Sequence, residues 1–262
     1  MDVISLSENF VDSRDDQQLQ SSKLYSKGKF FSDFIGQKES VDCLITYCAA
    51  AKLRRCPLEH TIIIGHAGLG KHTLSTHIAN ELGVNLSIRQ ANSILSPGDL
   101  VSLLTALNEE EIVLLEEIQE LNPDCFEILY LAMDKFAIDL VIGRGPSANK
   151  IHLDLPHFTC LATTSQLNAV PEQLMALFDI KIHLRPYTIS ELSLLIEHYA
   201  KLWDLTIDDK SAVLIASACN GFPMDAIKLL KRMRDFAQVH NNNIIDVSLI
   251  ENVLPTIASV KS

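Results

Sequence analysis

Residues Thr61 to Thr73 read T-I-I-I-G-H-A-G-L-G-K-H-T, and this stretch decides the fold. An apolar run ends at Gly65, and Gly70 and Lys71 follow at the spacing G-x-x-x-x-G-K. That spacing turns a strand into a helix through a loop whose backbone N–H groups wrap a phosphate while an ammonium is aimed at it. Gly65, Gly68, Gly70, Lys71, His72 and Thr73 are therefore candidate nucleotide-binding residues. The position after the lysine calls for a Ser or Thr hydroxyl to hold magnesium, and here it is His72. The loop is shaped for a nucleotide, but its metal chemistry is altered.

Outward from this loop, apolar strands alternate with amphipathic helices. A helix is expected over Glu39 to Arg54, a strand at 61–65, a helix at 71–82, a strand near 85–89 and a helix at 98–107. The strand Ile112 to Leu115 follows, then a helix that Asn122 caps and Pro123 opens. Such alternation predicts an α/β fold, a parallel sheet covered on both faces. Segments 136–142 and 149–153 flank the turn-rich R-G-P-S-A-N and read as a protruding hairpin, after which Phe158 to Thr163 resumes the sheet. Beyond Tyr187 the pattern is helical only, over Ile189 to Trp203, Asp208 to Cys219, Pro223 to Val239 and Val247 to Ile257. This gives three parts: a polar tail over 1–27, a nucleotide-binding α/β domain over 28–185 with its hairpin at 136–153, and a small all-helical domain over 186–262.

At 262 residues and 47% apolar composition the chain can bury a sizeable core. A formal net charge of −11 supplies no general positive field for DNA or an anionic membrane. Lys228, Lys231, Arg232 and Arg234 form a local basic cluster that reads as a solvated helix face. The six cysteines contain no C-x-x-C pair and fit reduced, mostly buried thiols in the cytosol. His72 and His77 lie five apart, which misses the i, i+3 or i, i+4 spacing of a helical metal pair. No stretch reaches the ~18 apolar residues of a membrane span, and no signal-peptide pattern opens the chain. The expectation is a cytoplasmic protein with no membrane contact.

The second element of a nucleotide site is a strand ending in acids, and Val113-Leu114-Leu115-Glu116-Glu117 supplies it. In hydrolysing proteins of this class an Asp organises magnesium and the following Glu polarises the attacking water. Glu117 stands at the base position, and Glu116, one methylene longer than Asp, at the metal position.

Longer runs make the resemblance specific. D-F-I-G-Q (Asp33 to Gln37), A-A-K-L-R (Ala50 to Arg54), G-L-G-K (Gly68 to Lys71) and A-N-E-L-G-V-N-L (Ala79 to Leu86) are similar to bacterial RuvB, the AAA+ Holliday-junction branch-migration motor. So are L-Y-L-A-M-D-K-F (Leu129 to Phe136), G-R-G-P-S-A (Gly143 to Ala148), D-L-P-H-F-T (Asp154 to Thr159) and L-L-K-R-M-R-D-F-A (Leu229 to Ala237). The resemblance covers about residues 28–258, with a one-residue insertion between Thr164 and Phe178. It implies an AAA+ P-loop parallel-sheet domain followed by a small helical lid. It also implies Thr164 at the sensor position, Tyr187 against adenine, and a hairpin strand with Ile138, Leu140 and Ile142 that touches the partner RuvA.

The departures carry as much information. Against the family, His72 replaces the magnesium Thr and Glu116 the Asp of the acidic pair. The arginine-finger segment L-R-D-R-F-G reads L-M-A-L-F-D, so Met175 and Leu177 replace both arginines. The lid motif G-T-P-R ends in Met224, and an Arg-Pro pair near the start becomes Lys27-Gly28. A finger alone is worth roughly 10³–10⁵ in rate. The resemblance therefore implies ATP or ADP as a weakly held ligand and argues against a well-held Mg2+, for which Glu116 is a poor remaining ligand. The chain stops soon after the lid, so the family's winged-helix domain and part of its DNA contact are expected to be absent.

The expected function is a degenerate RuvB-like subunit that binds nucleotide with little turnover and acts through protein contacts. It would sit in a homo- or hetero-oligomeric ring with intact RuvB subunits, or on a RuvA-like partner, and meet DNA only indirectly. The alternative is a working ATP-dependent helicase of DNA recombination and repair, rescued by Thr73 and Glu116. A third reading is a scaffold without nucleotide.

Overall fold

In a computed structural model of the chain, residues 30–142 and 149–260 are described. The expected tail over 1–27, the Lys27-Gly28 pair and the G-R-G-P-S-A turn lie outside them. Strand β1 (Thr61–Ile64) leads through the glycine loop into α2 (Lys71–Leu82), and helix α1 (Lys38–Arg54) precedes it. Then come β2 (Leu86–Gln90), α3 (Pro97–Thr105), β3 (Ile112–Glu116) and α4 (Pro123–Lys135). Ser96 and Asp99 form a reciprocal capping box at α3, and the Asn122 side chain accepts from the Asp124 amide at 3.0 Å to open α4.

Strands β6 (Thr159–Thr164) and β7 (Ile180–His183) complete a five-stranded sheet of order β2-β3-β6-β1-β7, parallel throughout. A short helix α5 (Glu172–Met175) lies between them. The continuous apolar runs divide by parity, because successive side chains on a strand face opposite ways. Ile63, Leu114 and Leu161 enter a core with α1 and α2. Ile62, Val113, Leu115, Cys160 and Ala162 enter another with α3, α4, Phe158 and Phe178. The fold is thus a parallel-sheet P-loop domain covered on both faces.

Strands β4 (Ala137–Ile142) and β5 (Asn149–Asp154) pair antiparallel, with Ala137 opposite Asp154 and Ile142 opposite Asn149. They form a two-stranded ribbon separate from the main sheet.

The lid consists of α6 (Ile189–Leu202), α7 (Asp209–Ser217), α8 (Pro223–His240) and α9 (Val247–Val260). Its apolar faces, including Leu192, Ile196, Ile215, Leu230 and Met233, continue the core built on α1 and α2. The expectation of helices alone here needs one correction. Two-residue strands β8 (Thr206–Ile207) and β9 (Ile244–Ile245) pair in parallel between the helices. The basic cluster on α8 is indeed a helix face, with Arg232 and Arg234 beside Asp235 and the Arg234 guanidinium over the Trp203 ring at 5.2 Å.

The junction between the two units is tight at Gly221, which takes φ +83° and whose carbonyl accepts from the Tyr187 amide at 2.9 Å. A Cβ there would stand 2.8 Å from Pro186 Cβ and 3.0 Å from the Tyr187 carbonyl oxygen. Gly221→Ala should therefore lower stability by about 1–3 kcal/mol in denaturant titrations. Gly98→Ala, whose Cβ would meet only Ser96 Oγ at 3.7 Å, should be neutral or stabilising by up to ~1 kcal/mol. Equal costs at the two sites would contradict this account of the junction.

Candidate functional site

The loop between β1 and α2 has the geometry that its spacing requires. Gly68 and Gly70 take φ +84° and +95°, and the Gly65 amide donates to the Thr164 carbonyl at 3.0 Å, tying the loop to the end of β6. Lys71 is 7% exposed, so its ammonium must find partners nearby. It donates to the carbonyls of Gly65 at 2.6 Å and His66 at 3.3 Å, and pairs with Glu117 Oε1 at 2.9 Å.

The acidic pair is equally engaged. Glu117 follows β3 in the left-handed region at φ 52°, a conformation that costs a non-glycine residue about 1 kcal/mol. Its amide donates to Thr163 Oγ1 at 3.0 Å, and its Oε2 accepts from Gln119 Nε2 and the Ser165 amide, each at 2.9 Å. Burial opposes ionisation of this carboxyl, but the hydrogen bonds from Gln119 and Ser165 and the Lys71 ammonium prevail and hold its pKa at about 2. Glu116 Oε1 accepts from His72 Nδ1 at 2.8 Å, while Gln90 Nε2 holds Oε2. Its hydrogen bond to Glu116, with the charge behind it, raises the His72 pKa against partial burial.

A cleft of about 110 Å³ opens beside the loop. Gly68, Gly70 and Thr73 line one side, Phe34, Ile35 and Tyr187 another, and Pro223, Met224 and Ile227 of the lid the third. Tyr187 is buried, its ring against Gly36. Met224 stands over the phosphate loop: its amide donates to the Gly68 carbonyl at 3.3 Å, and its Cβ lies 3.2 Å from where a Gly68 Cβ would be. The glycine loop and the buried Lys71 fit the phosphates of a nucleotide. The site does not fit magnesium. The helix position that should offer a hydroxyl offers imidazole, a poor ligand for a hard cation, and both acids are bonded to protein donors.

Of the other sequence-singled positions, Thr164 is fully buried at the end of β6, its hydroxyl donating to Gln119 Oε1 at 2.7 Å. Met175 and Leu177 are part-buried and pack against the core of the α3–α4 face, away from the loop's partners. Ile138 is buried at the base of the β4–β5 ribbon, and Leu140 and Ile142 follow on the same strand. Gln90, Gln119 and Ser165, which bind the acids, carry no spacing motif, and sequence reasoning passed over them. Phe34 and Ile35 were legible only as part of the run D-F-I-G-Q. Among the described residues there is no cluster of three or more His, Cys, Asp or Glu able to hold a metal, and no helix is long and apolar enough to cross a membrane.

Two family models match the chain. The Holliday junction DNA helicase RuvB P-loop domain spans residues 27–184, and the RuvB AAA lid domain spans 187–258. Among solved structures, the RuvB Holliday junction branch migration motor of Thermotoga maritima is 30% identical with a TM-score of 0.80, covering 88% of this chain and 73% of that one. A single-substitution mutant of the same RuvB is 31% identical with a TM-score of 0.82, covering 89% of this chain and 73% of its own. Another gives 31% and 0.80, over 87% and 72%.

The raised His72 pKa has a definite sign. The pair with Glu116 stabilises the fold below the ordinary histidine range, and that contribution fades as pH rises through the raised value. Glu116→Gln should therefore lower Tm more near about pH 5.5 than near about pH 8.5, and the His72 ring nitrogens should titrate at lower pH in the variant, as read by NMR. Equal Tm losses at both pH values would mean that the pair does not form.

Proposed function

The chain belongs to the RuvB family, and from that membership we propose that it is a degenerate subunit of the branch-migration type, binding nucleotide with little or no hydrolysis. The observation that carries this reading is Met224, a thioether at the lid position that closes over the glycine loop. Phosphoryl transfer depends on cations placed around the charge that develops on the transferring group. In this chain the lid position is Met224, the finger positions are Met175 and Leu177 packed on the core, and the magnesium hydroxyl is His72. The glycine loop, Lys71, Thr73 and Tyr187 are assigned to nucleotide binding, weak for want of those cations, and Glu117 and Thr164 to the family's catalytic positions without effective turnover.

The subunit acts through protein contacts, either within a ring alongside intact RuvB subunits or on a RuvA-like partner through the β4–β5 ribbon with Ile138, Leu140 and Ile142. Its working parts are an AAA+ domain over 28–185 and a lid over 186–262, and its place of work is the cytoplasm. The alternative is an ATP-driven helicase of recombination and repair, and one observation favours it: Thr73 brings a hydroxyl to the cleft one residue after the expected position.

Phosphate release from ATP should stay at background, and a fluorescent ATP analogue should bind and lose at least ~10-fold in affinity on Lys71→Ala. Hydrolysis above background that disappears in Glu117→Gln would establish the motor instead. The combined variant His72→Thr, Glu116→Asp, Leu177→Arg and Met224→Arg should regain turnover by at least ~10-fold, since a finger alone is worth roughly 10³ or more. A variant that binds nucleotide yet stays inert would show these positions are not the ones that disable the site.

A further inference from the structure

We propose that this chain holds its nucleotide without a divalent cation, the cluster His72–Glu116–Gln90 closing the place where the ion would be bound. The inference rests on the nucleotide-binding reading above and goes beyond it in stating what the bound species is: free nucleotide, not its magnesium complex.

Three observations carry it together. The first is saturation. Glu116 Oε1 accepts from His72 Nδ1 at 2.8 Å and Oε2 from Gln90, while Glu117 Oε1 pairs with Lys71 at 2.9 Å and Oε2 accepts from Gln119 and the Ser165 amide. All four oxygens of the acidic pair have protein donors, so a cation held there would have to share each oxygen with a donor or displace it. The second is donor chemistry. Mg2+ takes oxygen ligands in a strict octahedron and sheds water reluctantly, and the residue after Lys71 offers it nitrogen. The third is position. His72 Nδ1 reaches Glu116 Oε1 at 2.8 Å from the same helix turn that presents Lys71, so an imidazole stands on the carboxylate oxygen nearest that turn's own position for a metal hydroxyl. The phosphates are then left to the Lys71 ammonium and the amides at the start of α2.

Together these turn a metal-bridged phosphate site into one assembled from protein donors alone. Such a site responds to nucleotide but not to the magnesium that accompanies it in solution.

The test is a titration with a fluorescent ADP analogue in excess EDTA and again with millimolar MgCl2. Affinities should agree within about 2-fold. The variant His72→Thr with Glu116→Asp restores a hydroxyl and a shorter carboxylate, and there magnesium should tighten binding by ~10-fold or more. Wild-type binding that weakens ~10-fold in EDTA overturns the inference while leaving the nucleotide reading intact. A double variant as indifferent to magnesium as the wild type also overturns it, because the cluster would then not be what excludes the ion. Absence of binding in both media removes the nucleotide reading, and this inference with it.

Discussion

The Lys71 ammonium is the knot on which the functional end of the sheet depends. A charge this deeply buried is tolerable only when paired and hydrogen-bonded, and removing one partner of such a pair costs about 3–5 kcal/mol. Lys71 meets the condition by binding the Gly65 and His66 carbonyls beyond β1 and the Glu117 carboxylate beyond β3. Glu117 passes the constraint on to the Ser165 amide beyond β6. One cation thus ties the carboxyl ends of three neighbouring strands, the edge at which parallel sheets bind ligands. The same network gives Lys71 and Glu117 a structural role that needs no chemistry. A subunit without turnover would still need both to keep its loop in shape.

Besides the shared core, close polar contacts couple the lid to that edge. Gly221 accepts from the Tyr187 amide, the Met224 amide donates to Gly68, and Gln37 and Glu191 join the strand-to-lid connection at Arg185. Arg185 makes a forked pair with Glu191 at 2.9 and 3.0 Å, and the Gln37 amide donates to the same carboxylate at 3.1 Å. The cleft therefore has walls in both units, with this bonded connection behind it.

What could be read from the sequence follows the strength of the local signal. α2 was legible to the residue and β1 to within one, because glycine and lysine sit at fixed offsets and three isoleucines run into the loop. Asn122-Pro123 marked the start of α4 for the same kind of reason. β7 was not legible: I-K-I-H is an edge strand of four residues with alternate positions exposed, too short for its period to stand out. β8 and β9, two residues each, exist only because the lid helices bring them together. At the site, Lys71, Glu117 and Tyr187 were readable from motif and resemblance. Gln90, Gln119 and Ser165 are ordinary polar residues near strand ends, and their partners are set by the fold. The His72–Glu116 contact spans 44 positions, and neither residue alone announces the other.

The replaced positions are not left as gaps. His72 finds Glu116, Met175 and Leu177 find the core beside Leu174 and Phe178, and Met224 finds the glycine loop. An arginine at 175 or 177 would have to keep a guanidinium in water or reach a phosphate on a neighbouring subunit, whereas an apolar side chain gains stability by packing locally. In the proposed reading each change moves free energy from transition-state contacts towards ground-state contacts within the subunit, the usual direction of the trade between activity and stability. The effect is uneven along a bound nucleotide. In that reading the wall that would meet the base carries Phe34, Ile35, Tyr187 and Ile227 with Asp33, His77 and His198 among them, while Met224 and the paired acids stand at the end that would meet the γ-phosphate. In the proposed reading the nucleotide is gripped by its nucleoside and first phosphates, and serves as a wedge between sheet and lid rather than as a fuel.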